Sequence, residues 1–217
     1  MARLKVAVLI SGRGSNLQAL IDACADPGFP AEIRLVISNE PAAPGLQWAE
    51  SGGIPTAVIA HRDFAARDAF DHAIDRALAA AGIEFVCLAG FMRILGDAFV
   101  ARWRDRLINI HPSLLPAFKG LHTHERALAA GVRFTSCTVH FVRPATDEGP
   151  IIAQAAVPVF PDDDAERLAE RVLSAEHKIY PMVLRLFGEG RVKIINESVR
   201  ITDFAPTDAT YVLNPIL

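Results

Sequence analysis

Apolar strand-like runs and amphipathic helical stretches alternate along this sequence, and the alternation begins at its first residues. Leu4 to Ser11 is an apolar, β-branched run ending in glycines, as a parallel strand buried on both faces would be. Asn16 to Ala25 then carries helical spacing through Leu17, Leu20 and Ile21. The same alternation continues with a strand at Glu32 to Ser38, a helix at Gly45 to Ser51, a strand at Thr56 to Ala60 and a helix at Phe64 to Ala81. Phe85 to Gly90 reads as a fourth strand, Asp97 to Arg102 as a short helix and Leu107 to Ile110 as a fifth strand, before Pro112 and Pro116 forbid regular continuation. His124 to Ala130 reads as a short helix. Thr135 to Val142 and Ile151 to Val159 are two strands joined by RPATDEGP and suited to antiparallel pairing. Asp163 and Glu166 have the spacing of a capping box opening a helix at Ala165 to Phe187. Val192 to Ile195 and Val199 to Ile201 suit a hairpin turning at Asn196, followed by a proline-containing terminus. Alternation of this kind predicts an α/β protein with three Rossmann-like layers, a mostly parallel central sheet and helices on both faces. Ligands of such sheets bind beyond the carboxyl ends of the strands.

At 217 residues the chain suits a single domain, 1–217, with one substantial core. A hydrophobic fraction of 51% excludes a disordered chain, and a net charge of −3 argues against a broad nucleic-acid surface. Cys24, Cys87 and Cys137 lack CxxC or metal-ligand spacing and read as reduced and structural. The opening MARLKVAVLISG is too short an apolar run for a signal peptide, and no stretch of 18 apolar residues occurs, so a cytoplasmic protein without a membrane partner is expected. A homodimer is compatible with the sequence, although nothing marks an interface.

The turn SGRGSN, Ser11 to Asn16, stands after the first strand and opens the first helix, where backbone N–H groups and the positive helix end can hold a phosphate. It is not a dinucleotide fingerprint, because Leu17 takes the position of the third glycine, nor is it a Walker loop. A tight turn with Ser15 or Asn16 as an ordinary helix cap is the alternative. Glu40, after the second strand, could meet a ribose or simply face solvent.

Asn109 and His111 flank Ile110 at the end of the fifth strand, so the period of two aims both polar side chains to one face and Ile110 to the core. The following HPSLLPAFKGLHTH is stiffened by two prolines and turned by Gly120. Asp147 lies in an acidic loop and would reach His111 if that loop folds over the strand. Each residue alone also has a structural reading, as a strand-end hydrogen-bonding group. His111, His122, His124 and His140 raise the question of a metal, but neither HExxH nor a Cys/His spacing is present, so none is expected. Ser113 lacks the G-x-S-x-G context of a nucleophile elbow.

Taken together and in order, VLISGRGSNLQALIDA, LAGFMRIL (Leu88 to Leu95), INIHPSLLPAFKGLHTH (Ile108 to His124), TVHFV (Thr138 to Val142) and DEGPII (Asp147 to Ile152) resemble the folate-dependent formyltransferases. The likeness runs from the first strand to the long helix. NIHPSLLP and DxGP are shared across that family, whereas SGRGSNLQ resembles the branch that formylates 5-phosphoribosylglycinamide in purine synthesis.

The resemblance implies the formyltransferase fold, with a phosphoribosyl-binding half at 1–105 and a catalytic and folate-binding half at 106–217. It implies 10-formyltetrahydrofolate as cosubstrate and a small phosphorylated amine as acceptor. Gly14, Ser15 and Asn16 would meet the acceptor's phosphoribosyl part and Glu176 its sugar or glycinamide end; the pattern alone would leave Glu176 a solvated helix residue. Met92, Arg93, Ile94 and Leu95 would line the folate pocket, with Arg143 to Asp147 as its other wall and Arg67 near the folate tail. Asn109, a protonated His111 and Asp147 would carry the chemistry, the first two as donors to an oxyanion and the third as the charge partner and proton carrier.

Overall fold

A computed structural model describes residues 2–203 and 213–214. Nine strands and six α-helices are described: β1 (Leu4–Ile10), α1 (Ser15–Cys24), β2 (Ala31–Ser38), α2 (Gly45–Ser51), β3 (Thr56–Val58), α3 (Arg67–Ala80), β4 (Phe85–Leu88), α4 (Asp97–Arg102), β5 (Leu107–His111), α5 (Thr123–Ala129), β6 (Phe134–Phe141), β7 (Ile151–Pro158), α6 (Ala165–Gly188), β8 (Val192–Ile195) and β9 (Ser198–Ile201). The first seven strands form one sheet in the order β3-β2-β1-β4-β5-β6-β7. β1 to β5 pair in parallel, and β6 and β7 add antiparallel strands at one side. The strand order reverses between β1 and β4, the switch point at which open α/β sheets leave a crevice for ligands.

Alternating side chains divide the core into two layers. Val6, Val8, Ile10, Ile108 and Ile110 pack with Leu17 and Leu20 of α1 and with Leu168, Val172 and Tyr180 of α6. Ala7, Leu9, Leu35, Ile37 and Leu107 face the other way, onto Phe70, Ile74 and Leu78 of α3 and Phe99 and Val100 of α4. Tyr180 is fully buried and ties α6 to the sheet, its hydroxyl donating to the Leu88 carbonyl at 2.9 Å. Helices therefore cover both faces of the sheet, as the alternation requires.

Several details differ from the sequence reading. The third helix begins at Arg67 rather than Phe64, because His61–Asp63 form a 3-10 turn and Phe64 and Ala66 are extended. The cap of α6 is Asp164, whose side chain accepts from the Arg167 N–H at 2.8 Å. Asp163 instead pairs with Arg171 at 2.7 Å and accepts from the Phe160 N–H, so the cap is displaced by one residue within an acidic triplet and, with Arg167 three residues on, the expected capping box does not form. The hairpin β8–β9 forms as expected, with Asn196 and Glu197 both at positive φ. The proline-containing terminus lies outside the described residues.

Candidate active site

Two loops meet at the switch point. After β1 the chain turns through Gly12 to Gly14 into α1, and the N-cap of α1 is Gly14 at φ 73°, with no side-chain cap and no acidic residue in the first turn. Ser15 and Asn16 are thus not the helix cap, and the first N–H groups of α1 remain open to an anion. Glycine is required at 14, because a Cβ there would lie 2.6 Å from the Gly45 Cα where α2 begins. Asn16 points back toward α6, and its amide donates to Glu176 Oε2 at 2.7 Å.

Glu176 is only 6% exposed, so it is no solvated helix residue. Burial raises its pKa above the ordinary value, and the Asn16 hydrogen bond partly opposes that shift. Among the described residues Asn16 Oδ1 is buried with no partner of its own. Outward from the turn, a groove of about 480 Å³ is lined by Arg13, Gln18, Trp48 and His177 among others. Gln18 Oε1 and His177 Nε2 are likewise buried and unpartnered. Neither Arg13 nor His177 was singled out by sequence; α1 and α6 bring them together only when they pack.

On β5, Asn109 and His111 do share a face, the one on which Leu107 packs, while Ile108 and Ile110 point into the opposite core layer. The antiparallel pairing places His140 of β6 directly across from Asn109. His140 Nδ1 donates to the Phe141 carbonyl at 2.9 Å, which leaves Nε2 as the acceptor for the Asn109 amide at 3.3 Å. Burial lowers the His140 pKa, so its 3.8 Å approach to Asp147 is that of a neutral ring rather than an ion pair. His140 is the residue that sequence reasoning undervalued: its signal was the alternation within TVHFV, which is readable only once the partner strand and register are known.

The loop after β6 folds over these side chains. Asp147, at φ 55°, sets Oδ2 3.5 Å from His111 Nδ1 and accepts from the Gly120 N–H at 2.9 Å. One carboxylate thereby joins the β6–β7 loop to both the strand-end histidine and the proline-stiffened loop after it. Gly149 makes the return possible, since a Cβ there would fall 1.6 Å from the Phe141 carbonyl oxygen. His111 Nε2 lies 3.0 Å from the Phe118 carbonyl, so each ring nitrogen faces an acceptor.

The other candidates divide. Met92 and Ile94 are 67% and 61% exposed beside the switch point, whereas the Leu95 side chain is buried in the second core layer. Arg93 is exposed, and Arg67, also exposed, brings its side chain to within 3.7 Å of where a Cβ on Gly96 would stand, at the end of the same loop. Arg143 turns away: its guanidinium is taken by Asp105 at 2.7 Å and Glu197 at 2.9 Å. Glu40 pairs with His61 and Arg62. Ser113 is fully buried and donates to the Ala117 carbonyl, a structural role. His122 is exposed, and burial lowers the pKa of His124. Among the described residues no group of three or more His, Cys, Asp or Glu could hold a metal, and no helix is long and apolar enough to cross a membrane.

Comparisons with known proteins give the family and the fold. Residues 4–184 match the family described as formyl transferase. The chain is 46% identical over 191 residues to the phosphoribosylglycinamide formyltransferase of Escherichia coli, covering 88% of this chain and 90% of that protein. It is 53% identical over 197 residues to the trifunctional purine biosynthetic protein adenosine-3 of Drosophila melanogaster, covering 90% of this chain but spanning only 15% of that relative's length. The crystal structure of glycinamide ribonucleotide transformylase 1 from Symbiobacterium toebii superposes with a TM-score of 0.90 at 46% identity, over 93% of this chain and 95% of that one. The chain belongs to the formyl transferase family, among the phosphoribosylglycinamide formyltransferases.

Proposed function

We propose that this protein transfers a formyl group from 10-formyltetrahydrofolate to the amine of 5-phosphoribosylglycinamide, by direct attack and without a metal. The observation that carries the reading is the convergence of Asn109, His111 and Asp147 beside the switch-point crevice, with Asp147 Oδ2 3.5 Å from the imidazole. The acceptor amine is the nucleophile, and negative charge develops on the formyl oxygen as it attacks. Asn109 is suited to donate there: His140 takes one amide hydrogen and fixes the plane of the group, leaving the second free to meet the oxyanion. His111 can supply the other donor only if Nε2 exchanges the Phe118 carbonyl for the oxyanion, a shift of the loop after β5. Asp147 would hold the imidazole in place through Nδ1 and carry the proton from the attacking amine toward the departing folate nitrogen, directly or through water.

The binding residues suit the two substrates. The uncapped N-terminus of α1 at Gly14, Ser15 and Asn16 fits a phosphate, and the unpartnered Asn16 Oδ1 beside Glu176 fits the hydroxyl and amine donors of the glycinamide end. Exposed Met92 and Ile94 suit the flat pterin, with main-chain groups of Arg93, Leu95 and Arg143 to Asp147 for its polar edge and the Arg67 guanidinium for a carboxylate tail. The folate wall draws on loops from both halves of the chain, so 1–105 and 106–217 divide the sequence more cleanly than they divide the substrates.

A spectroscopic assay of folate conversion with and without 5-phosphoribosylglycinamide tests the reading. Conversion should require the acceptor. Formate release in its absence would instead make the protein a hydrolase.

A further inference from the structure

Ser11 belongs to the turn assigned to the acceptor, yet every hydrogen bond of its side chain runs elsewhere. Its hydroxyl donates to Asn39 Oδ1 at 2.5 Å and accepts from the Met92 N–H at 2.7 Å, while its own N–H donates to the Gly90 carbonyl at 3.2 Å. Asn39 is 3% exposed at the end of β2, and its amide nitrogen lies 3.1 Å from His61 Nδ1. The amide is thus held from both ends, and its oxygen takes the hydroxyl proton. The lone pair left on Ser11 Oγ is thereby aimed at Met92.

This seam crosses the switch point, where it extends the backbone bond from the Ser11 N–H to the Gly90 carbonyl in joining the loops after β1 and β4. The loop from Phe91 to Leu95 has no regular structure of its own. Its far end is fixed by Leu95 in the core and by the Gly96 N–H donating to Asp71 Oδ2 at 2.7 Å. Its near end is fixed by Ser11. Between these anchors stand Met92 and Ile94, exposed apolar side chains whose ordering on a ligand would carry an entropic cost unless the backbone were already held.

We infer that Ser11 is a positioning residue for the formyl donor, acting through the Met92 N–H, and that it ties the folate loop to the acceptor's phosphate turn. The inference rests on the formyl-transfer reading above. It also reverses the assignment that the motif suggests, since a change at Ser11 should fall on the folate side of the kinetics.

The test is Ser11→Ala compared with Ser11→Thr, which keeps the hydroxyl. KM is measured separately for 10-formyltetrahydrofolate and for 5-phosphoribosylglycinamide, and hydrogen exchange is followed at the amides of residues 90–92 without substrates. Ser11→Ala should raise the folate KM about fivefold, as loss of one ordinary hydrogen bond does, change the acceptor KM less than the folate KM, and accelerate exchange at Met92. Ser11→Thr should restore both readouts. Should Ser11→Ala not fold, Asn39→Ala carries the same test through loss of the aiming contact, with an effect of about threefold on the folate KM. An active wild type whose Ser11→Ala variant weakens the acceptor alone, or leaves Met92 exchange unchanged, would overturn the inference by itself. A wild type that transfers no formyl group would overturn both this inference and the function beneath it.

Discussion

Single buried polar residues show most clearly where this chain departs from a generic α/β core. Glu176 is a carboxyl among Cys137, Tyr180 and Asn16, and its pKa is raised by desolvation. A raised carboxyl pKa means that the folded state binds the proton more tightly than the unfolded one. The associated stability is present in full below the ordinary value of 4.5 and is lost as pH rises through the folded value. Glu176→Gln keeps an acceptor for the Asn16 amide but removes the ionisation. Melting curves at several pH values should therefore show the variant equal to the parent near pH 4 and about 1 kcal/mol more stable near pH 7, or about 2–4 °C in Tm. His140, whose depressed pKa works in the opposite sense, is common to both proteins and cancels in the difference. The same burial pushes Cys137 up to about 12 and Cys24 up to about 11, which keeps these thiols protonated and unreactive.

At the scale of the elements, local sequence was an adequate guide wherever the code is local. α2 and α4 match their expected limits residue for residue, because apolar spacing and their flanking residues suffice to define them. The cap of α6 was displaced because Asp162, Asp163 and Asp164 are equivalent in sequence, and only the Arg171 guanidinium about two turns into the helix decides which of them is spent on an ion pair. Asn109 beside His111 was legible from strand periodicity alone, whereas Asp147 was not. Its position depends on a β6–β7 return that no local pattern encodes and that turns on Gly149 passing close to the Phe141 carbonyl. Gly149→Ala should consequently displace the loop, separate Asp147 from His111 and Gly120, and lower both Tm and turnover. Circular-dichroism melts with a formyl-transfer assay would check this, and a variant with unaltered Tm and rate would show that the return is not so tight.

For the whole molecule, the order of strands is what gathers the site. Reversal between β1 and β4 brings the loops that follow these two strands side by side, and β5 and its antiparallel partner β6 set Asn109, His111 and His140 next to them. Strand alternation announced a parallel sheet with ligands at its carboxyl ends; it could not announce which loops would touch, because that follows from sheet order and from the packing of α1 on α6. Leu95 and Arg143 illustrate the limit: neighbours in sequence of candidate site residues, they spend their side chains on the core and on Asp105 and Glu197. The most direct test of the central claim is the single-turnover rate of formyl transfer at saturating substrates for Asn109→Ala, with Asp147→Asn alongside. Each should fall by at least about 10²–10³ while the circular-dichroism spectrum stays that of the parent. Near-native rates in both would contradict the assignment of the chemistry to this cluster.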